Sequence, residues 1–197
     1  MKAIVQARMT STRFPGKVLQ MINGKTMLSN VIERLQKCKN IDDIIIAIPF
    51  GTSQRELLTF KKFYNVKVFD ACPENDVAGR FGAVCDFYGI KDFVRVCSDS
   101  PFIQPWVIDY AIDQYRKIRP DYLVTEGMPD GMNTEVIEYN ALKKYYPKMN
   151  DKEKEHVTLY FENHSDIVNC FKLDLRHMSI DTMSDLVRLE EIYKYAV

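Results

Sequence analysis

No apolar run in this chain approaches the ~20 residues that a membrane-spanning helix needs, although 46% of its 197 residues are hydrophobic. Met1-Lys2-Ala3-Ile4-Val5 is too short for a signal peptide before charge resumes at Arg8, so a cytoplasmic protein with no membrane partner is expected. Net charge is lacking as well. The 27 basic and 27 acidic residues cancel, and no global field draws the chain to nucleic acid or an anionic surface. The five cysteines (38, 72, 85, 97 and 170) are odd in number, widely spaced and without a Cys-x-x-Cys pair, which excludes a disulfide framework and a zinc site. Neither Gly-x-Gly-x-x-Gly nor Gly-x-x-x-x-Gly-Lys-Ser/Thr follows the first apolar run, which removes an ordinary Rossmann dehydrogenase and a P-loop nucleotidase. Repeats, low-complexity tracts and linkers are also missing, so the length points to one domain over 1–197 with a smaller lid or interface region at about 126–175.

What is present is a concentration of positive charge at one place. The run Ala3-Ile4-Val5-Gln6-Ala7 reads as a buried strand and opens into Arg8-Met9-Thr10-Ser11-Thr12-Arg13-Phe14-Pro15-Gly16-Lys17. Two arginines and a lysine this close repel one another unless an anion, most simply a polyphosphate, lies between them. Nucleotide chemistry is the first hypothesis.

The remaining pattern alternates. Met27, Leu28, Val31, Ile32 and Leu35 share a helical face; Ile44-Ile45-Ile46-Ala47-Ile48 is a β-branched run of the kind buried on both faces of a parallel sheet. A helix over 53–64, a strand at Val66–Phe69, a helix capped by Asn75, a strand at Phe93–Val96, a helix opened by Pro105 and a strand at Tyr122–Val124 follow. Strand then helix, repeated, predicts an α/β fold with a Rossmann-like doubly wound, mostly parallel sheet. After residue 125 the pattern loosens: Thr134–Ile137 leans to strand, a helix start capped by Asp151 is expected near 148–155, 167–173 looks like a strand, and Thr182-Met183-Ser184-Asp185 fits a capping box opening a last helix.

In open α/β sheets ligands sit at the carboxyl ends of strands, where this chain carries Ser98-Asp99-Ser100-Pro101 and Ser179-Ile180-Asp181-Thr182 besides the cationic loop. Asp99 and Asp181 are candidates to hold Mg²⁺ together with substrate phosphates; the alternative is that Asp99 caps the helix after Pro101 and Asp181 merely precedes a helix cap.

The run Gln6-Ala7-Arg8 to Ser11-Thr12-Arg13-Phe14-Pro15-Gly16-Lys17-Val18-Leu19 resembles the nucleotide-binding signature of the cytidylyltransferase family, which includes the CMP-Kdo and CMP-sialic acid synthetases, and most of all its spore coat polysaccharide biosynthesis protein F branch. Asn75-Asp76-Val77-Ala78-Gly79-Arg80, Val94 to Pro101, Asp130 to Val136, Glu155-His156-Val157-Thr158 and Ser179 to Thr182 extend the likeness over nearly the whole chain. The resemblance implies a Mg²⁺-dependent enzyme of the nucleotide-diphospho-sugar transferase fold, which transfers CMP from CTP to a sugar, sugar acid or related polar metabolite and releases pyrophosphate for surface polysaccharide synthesis. It assigns triphosphate contacts to Arg8, Ser11, Arg13 and Lys17, with Arg13 and Lys17 stabilising the charge of the transition state. It assigns metal binding to Asp99 and Asp181, and gives Asp99 a catalytic role. Asp76 and Arg80 would lie near nucleotide and acceptor; Asn133, Glu135 and His156 would lie on the acceptor side, and a homodimer is implied. Asp99, His156 or a metal-bound water remain open as the base. A UTP- or GTP-dependent enzyme of the same fold and a non-catalytic nucleotide-binding protein are the alternatives; the missing Leu-Ala-Gly-Gly opening loop argues against the first.

Overall fold

The computed structural model describes residues 1–196. Its first strand, β1 (Lys2–Gln6), buries Ala3, Ile4 and Val5 completely. Asn23 and Gly24 both adopt positive φ, the type I′ pattern that closes a two-residue hairpin between β2 (Met21–Ile22) and β3 (Lys25–Thr26). Thr26 then caps α1 (Met27–Leu35) by accepting from Ser29 N at 3.1 Å, and of the expected apolar face Leu28, Val31, Ile32 and Leu35 are buried and Met27 half-buried. β4 (Asp43–Ile48) is the β-branched run, buried from Ile44 to Ile48. The helix expected over 53–64 is instead a pair of 3₁₀ turns and one short turn of helix, α2 (Phe60–Phe63), because too few inward apolar positions lie between Gly51 and Phe60 to hold a longer helix to the sheet.

β5 (Lys67–Asp70) leads to α3 (Val77–Tyr88), whose N-cap is Asp76 and not Asn75. The Asp76 carboxylate accepts from Gly79 N at 2.9 Å, and a Cβ on Gly79 would lie 2.3 Å from that carboxylate, so this cap needs glycine three residues on. β6 (Asp92–Cys97), α4 (Pro105–Ile118, Pro105 in its first turn) and β7 (Tyr122–Glu126) follow as expected. The rest of the chain is β8 (Glu135–Glu138), α5 (Tyr139–Tyr145), α6 (Asp151–Glu155), α7 (Leu159–Asn163), β9 (Cys170–Asp174) and α8 (Met183–Ala196). Asn150, one residue before the expected Asp151, caps α6 in a full capping box with Glu153. The last strand begins three residues later than expected, since Ile167 is exposed, whereas Thr182 and Asp185 form the reciprocal cap that was read from the sequence.

The seven long strands form one sheet in the order β5-β4-β1-β6-β8-β7-β9, parallel except for β8, which runs against both neighbours. Side chains alternate between two cores: Val5, Ile46, Val94 and Val136 face α1, α4 and α8, while Ile4, Ile45, Phe93 and Ile137 face α3, α5 and α7. The region 126–175 supplies two strands of this sheet, and its Leu142, Tyr145 and Phe161 are buried in the second core. It is woven into the domain. β1 has β4 on one flank and β6 on the other, so the chain reverses its direction of sheet growth between β1 and β6, where an open α/β sheet leaves a crevice at its carboxyl edge. No helix among the described residues is long and apolar enough to cross a membrane.

Candidate active site

The crevice is a cleft of about 230 Å³, walled by Gln6, Arg8, Arg13 and Lys17 from the end of β1, Cys97 and Asp99 from the end of β6, Arg80 and Arg95 from behind, and Glu155 and His156 from the end of α6. Four of the residues expected to bind triphosphate or catalyse, Arg8, Arg13, Lys17 and Asp99, therefore meet in one place. The loop that carries the cations is pinned: Gly16 takes φ 67° and donates its N–H to Met9 O at 2.8 Å, and Met9 N donates to Gln54 Oε1 at 2.9 Å.

The cations differ in their partners. Arg8 sits between two carboxylates, Glu74 at 3.0 Å and Glu155 at 3.5 Å, and Thr10 also donates to Glu74. Lys17 is ion-paired with Asp99, whose side chain is 40% exposed. Arg13 is exposed and makes no ion pair among the described residues. Arg80 is the unusual one. It is only 2% exposed, its Nη atoms donate to the carbonyls of Pro73 and Glu74, and its Nε has no partner. Burial pushes its pKa down, opposed by the nearby Cys72 and Asp76. The Nε is sealed from solvent, so what Arg80 brings to the cleft wall is a buried positive charge.

Behind the cleft lies a feature not singled out in the sequence. Arg95, in the middle of β6, donates from Nε to Gln6 Oε1 at 3.1 Å and is ion-paired with Glu135 across the β6–β8 ladder. The pair is 12% and 17% exposed, and Tyr122 Oη donates to the other Glu135 oxygen at 3.1 Å. Burial opposes the charge on Arg95, but Glu135 more than offsets it and its pKa is raised. Burial, then Glu135 and Glu162, raises the Tyr122 phenol well above its ordinary value. The ladder between β6 and β8 ends at this pair, and past it the strands part around a second cavity of about 200 Å³. Ser100, Asn133, Thr134 and Glu135 line it above a floor of Val96, Ile103 and Ile108, and Arg95 and Cys97 line both spaces. The one sequence signal for Arg95 was a charge inside an otherwise apolar strand.

Other expected site residues are placed differently. Asp76 is a helix cap whose second oxygen accepts from Tyr146 Oη at 2.8 Å; it does not line the cleft but fixes the helix that carries Arg80. Ser11 is buried under the loop and does not line the cleft. Asn133 borders the second cavity, accepting from Thr125 Oγ1 at 3.4 Å. Asp181 is exposed on the segment between β9 and α8, hydrogen-bonded to Ser179, and the cleft wall does not include it. Glu74 and Glu155, which clasp Arg8, were not among the expected residues.

A family model described as cytidylyltransferase matches residues 2–195. The chain belongs to the cytidylyltransferase family. Relatives include the spore coat polysaccharide biosynthesis protein SpsF of Bacillus subtilis, 29% identical over 98% of this chain and 86% of its own length. An uncharacterized protein of Methanocaldococcus jannaschii is 30% identical over 98% of this chain and 82% of its own. A solved cytidylyltransferase from Leptospira borgpetersenii has a TM-score of 0.83 at 25% identity, covering 94% of this chain and 82% of that one.

Proposed function

We propose that this cytidylyltransferase binds CTP in the β1–β6 crevice and transfers its cytidylyl group to an acceptor hydroxyl, releasing pyrophosphate. The observation that carries this reading is the convergence of Arg8, Arg13, Lys17 and Asp99 on one cleft, with the buried Arg80 guanidinium in its wall. Such a wall holds a polyphosphate from several sides.

In this reading the acceptor oxygen bonds to the α-phosphorus, the bond from that phosphorus to the β-bridging oxygen breaks, and pyrophosphate takes the electron pair. The acceptor hydroxyl gives up its proton, and His156, Asp99 and Glu155 are the cleft-wall groups placed to take it. Lys17 and Arg13 meet the charge that develops on the α-phosphoryl and bridging oxygens, Arg8 holds the outer phosphates, and Arg80 adds its buried positive charge from behind. Asp99, a partly exposed carboxylate beside the cleft, fits Mg²⁺, which is commonly held by one or two carboxylates together with substrate phosphates and water. Bound there, the metal would offset triphosphate charge. Asp181, outside the cleft wall on the segment after β9, is not placed to share that ion. The relation to a spore coat polysaccharide protein supports a product destined for a surface glycan.

Pyrophosphate release with CTP and Mg²⁺ across a panel of sugars, sugar acids and polyols tests the reaction. Calorimetry with CTP, UTP, GTP and ATP tests the base: CTP should bind at least tenfold tighter than the others, and no release with any triphosphate would refute the assignment.

A further inference from the structure

Resting on the transferase reading, we propose that the second cavity takes an acceptor without a carboxylate or phosphate at the end bound there, an uncharged polyhydroxy compound, and that the Arg95–Glu135 pair sets this choice. The resemblance alone leaves sugars and sugar acids equal, and the charges of the cavity separate them.

Among the residues lining the cavity there is one cation, Arg95, and one anion, Glu135, and each is the other's partner. No cation without a carboxylate partner lines the cavity. An acid seated there would face Glu135 at low dielectric and lose its hydration, which costs far more than it does at the surface. Hydroxyl groups meet a different environment. Two of the three Arg95 nitrogens are committed, Nε to Gln6 and Nη1 to Glu135. Nη2 makes no hydrogen bond among the described residues, and the Arg95 side chain borders both spaces. The Glu135 oxygens keep accepting capacity beyond Arg95 and Tyr122, and Asn133, Ser100 and Thr134 add donors and acceptors along the rim. A donor beside an acceptor reads a hydroxyl or a vicinal diol from both sides, while Val96, Ile103 and Ile108 face the C–H surface of the same molecule. At about 200 Å³ the space suits one small ring or short polyol. Arg95 also borders the triphosphate cleft, so the residue that selects the acceptor adjoins the place of reaction.

The test compares kcat/KM for pyrophosphate release from CTP and Mg²⁺ in three arms: free hexoses, N-acetylhexosamines and polyols; hexuronic and ulosonic acids; and hexose phosphates. The best neutral acceptor should exceed the best acid and the best phosphate by about tenfold or more. Highest activity with an acid or a phosphate overturns the proposal and leaves the transferase reading standing. CTP binding by calorimetry with no release in any arm overturns both. Glu135→Gln, which leaves Arg95 uncompensated, should raise the acid-to-neutral ratio of kcat/KM by about tenfold; an unchanged ratio in a variant that melts cooperatively overturns the role of the pair. The double variant Arg95→Gln/Glu135→Gln removes both charges and retains amide donors and acceptors, so it should keep the neutral preference even if its rate falls. A switch to acids in that variant also counts against the pair.

Discussion

Lys17, from the loop after β1, is ion-paired with Asp99, from the loop after β6, across the point where the sheet reverses its growth. Two groups that the transfer reaction would use separately, one toward phosphate and one toward metal, thus neutralise each other in the protein without substrate. A partly exposed pair contributes no more than about 1 kcal/mol to the fold. Lys17→Met should therefore leave the melting temperature within a few degrees of wild type, while turnover falls roughly 10²- to 10³-fold, the usual effect of losing one donor to developing charge. Scanning calorimetry and a pyrophosphate assay read the two effects side by side. A large loss of stability with preserved turnover would mean that the pair is structural.

Arg80 offers the opposite balance. Its unpartnered Nε costs about 1–3 kcal/mol in the free protein, an amount comparable with what its bonds to the Pro73 and Glu74 carbonyls return. Arg80→Met should be within about 2 kcal/mol of wild type in stability, or above it, and should bind CTP roughly 10- to 100-fold more weakly, since it takes a buried positive charge from the wall that faces the triphosphate. Titration calorimetry checks the second point. Wild-type affinity for CTP in this variant would remove Arg80 from the nucleotide site.

The sheet and its crevice were legible because periodicity is local: the β-branched run of β4 and the apolar face of α1 announce themselves within a few residues. The cationic loop was legible for the same reason. The pairing of charges was not, because Arg8 finds Glu74 and Glu155 at separations of 66 and 147 residues, and Arg95 finds Glu135 at 40. A lone arginine inside β6 shows that a partner exists without saying which residue it is. Asp76 shows the converse. An aspartate three residues before Gly79 satisfies a helix start, and the structure puts that side chain to this local use.

The buried thiols predict how stability depends on pH. Burial pushes Cys38 and Cys85 up to about 12, so neither ionises in the native protein at pH 9–10, whereas both do in the unfolded chain. The unfolded state then holds fewer protons, and stability falls as pH rises above the ordinary thiol value, by up to about 1.4 kcal/mol per pH unit for each thiol. The double variant Cys38→Ser/Cys85→Ser should be less stable at pH 7 yet lose less between pH 8.5 and 10.5. Thermal melts across that range give the two slopes, and parallel slopes would contradict this assignment.

Arg8 is the remaining cation with a restraint that can be released by substitution. Glu155 holds it from the far side of the cleft at 3.5 Å, while Glu74 also takes Thr10 and so belongs to the loop's own scaffold. An incoming triphosphate must compete with both carboxylates for one guanidinium, and both repel it. Glu155→Gln removes half of that competition without disturbing the Thr10 contact. CTP should then bind roughly two- to tenfold tighter at low ionic strength, and the gain should shrink in 0.5 M salt, where exposed charges are screened within a few ångströms. Glu74→Gln should gain less, because loosening the loop offsets the reduced repulsion. Calorimetry at the two salt concentrations separates these cases; weaker CTP binding in Glu155→Gln would show that this carboxylate orients Arg8 for the nucleotide instead of competing with it.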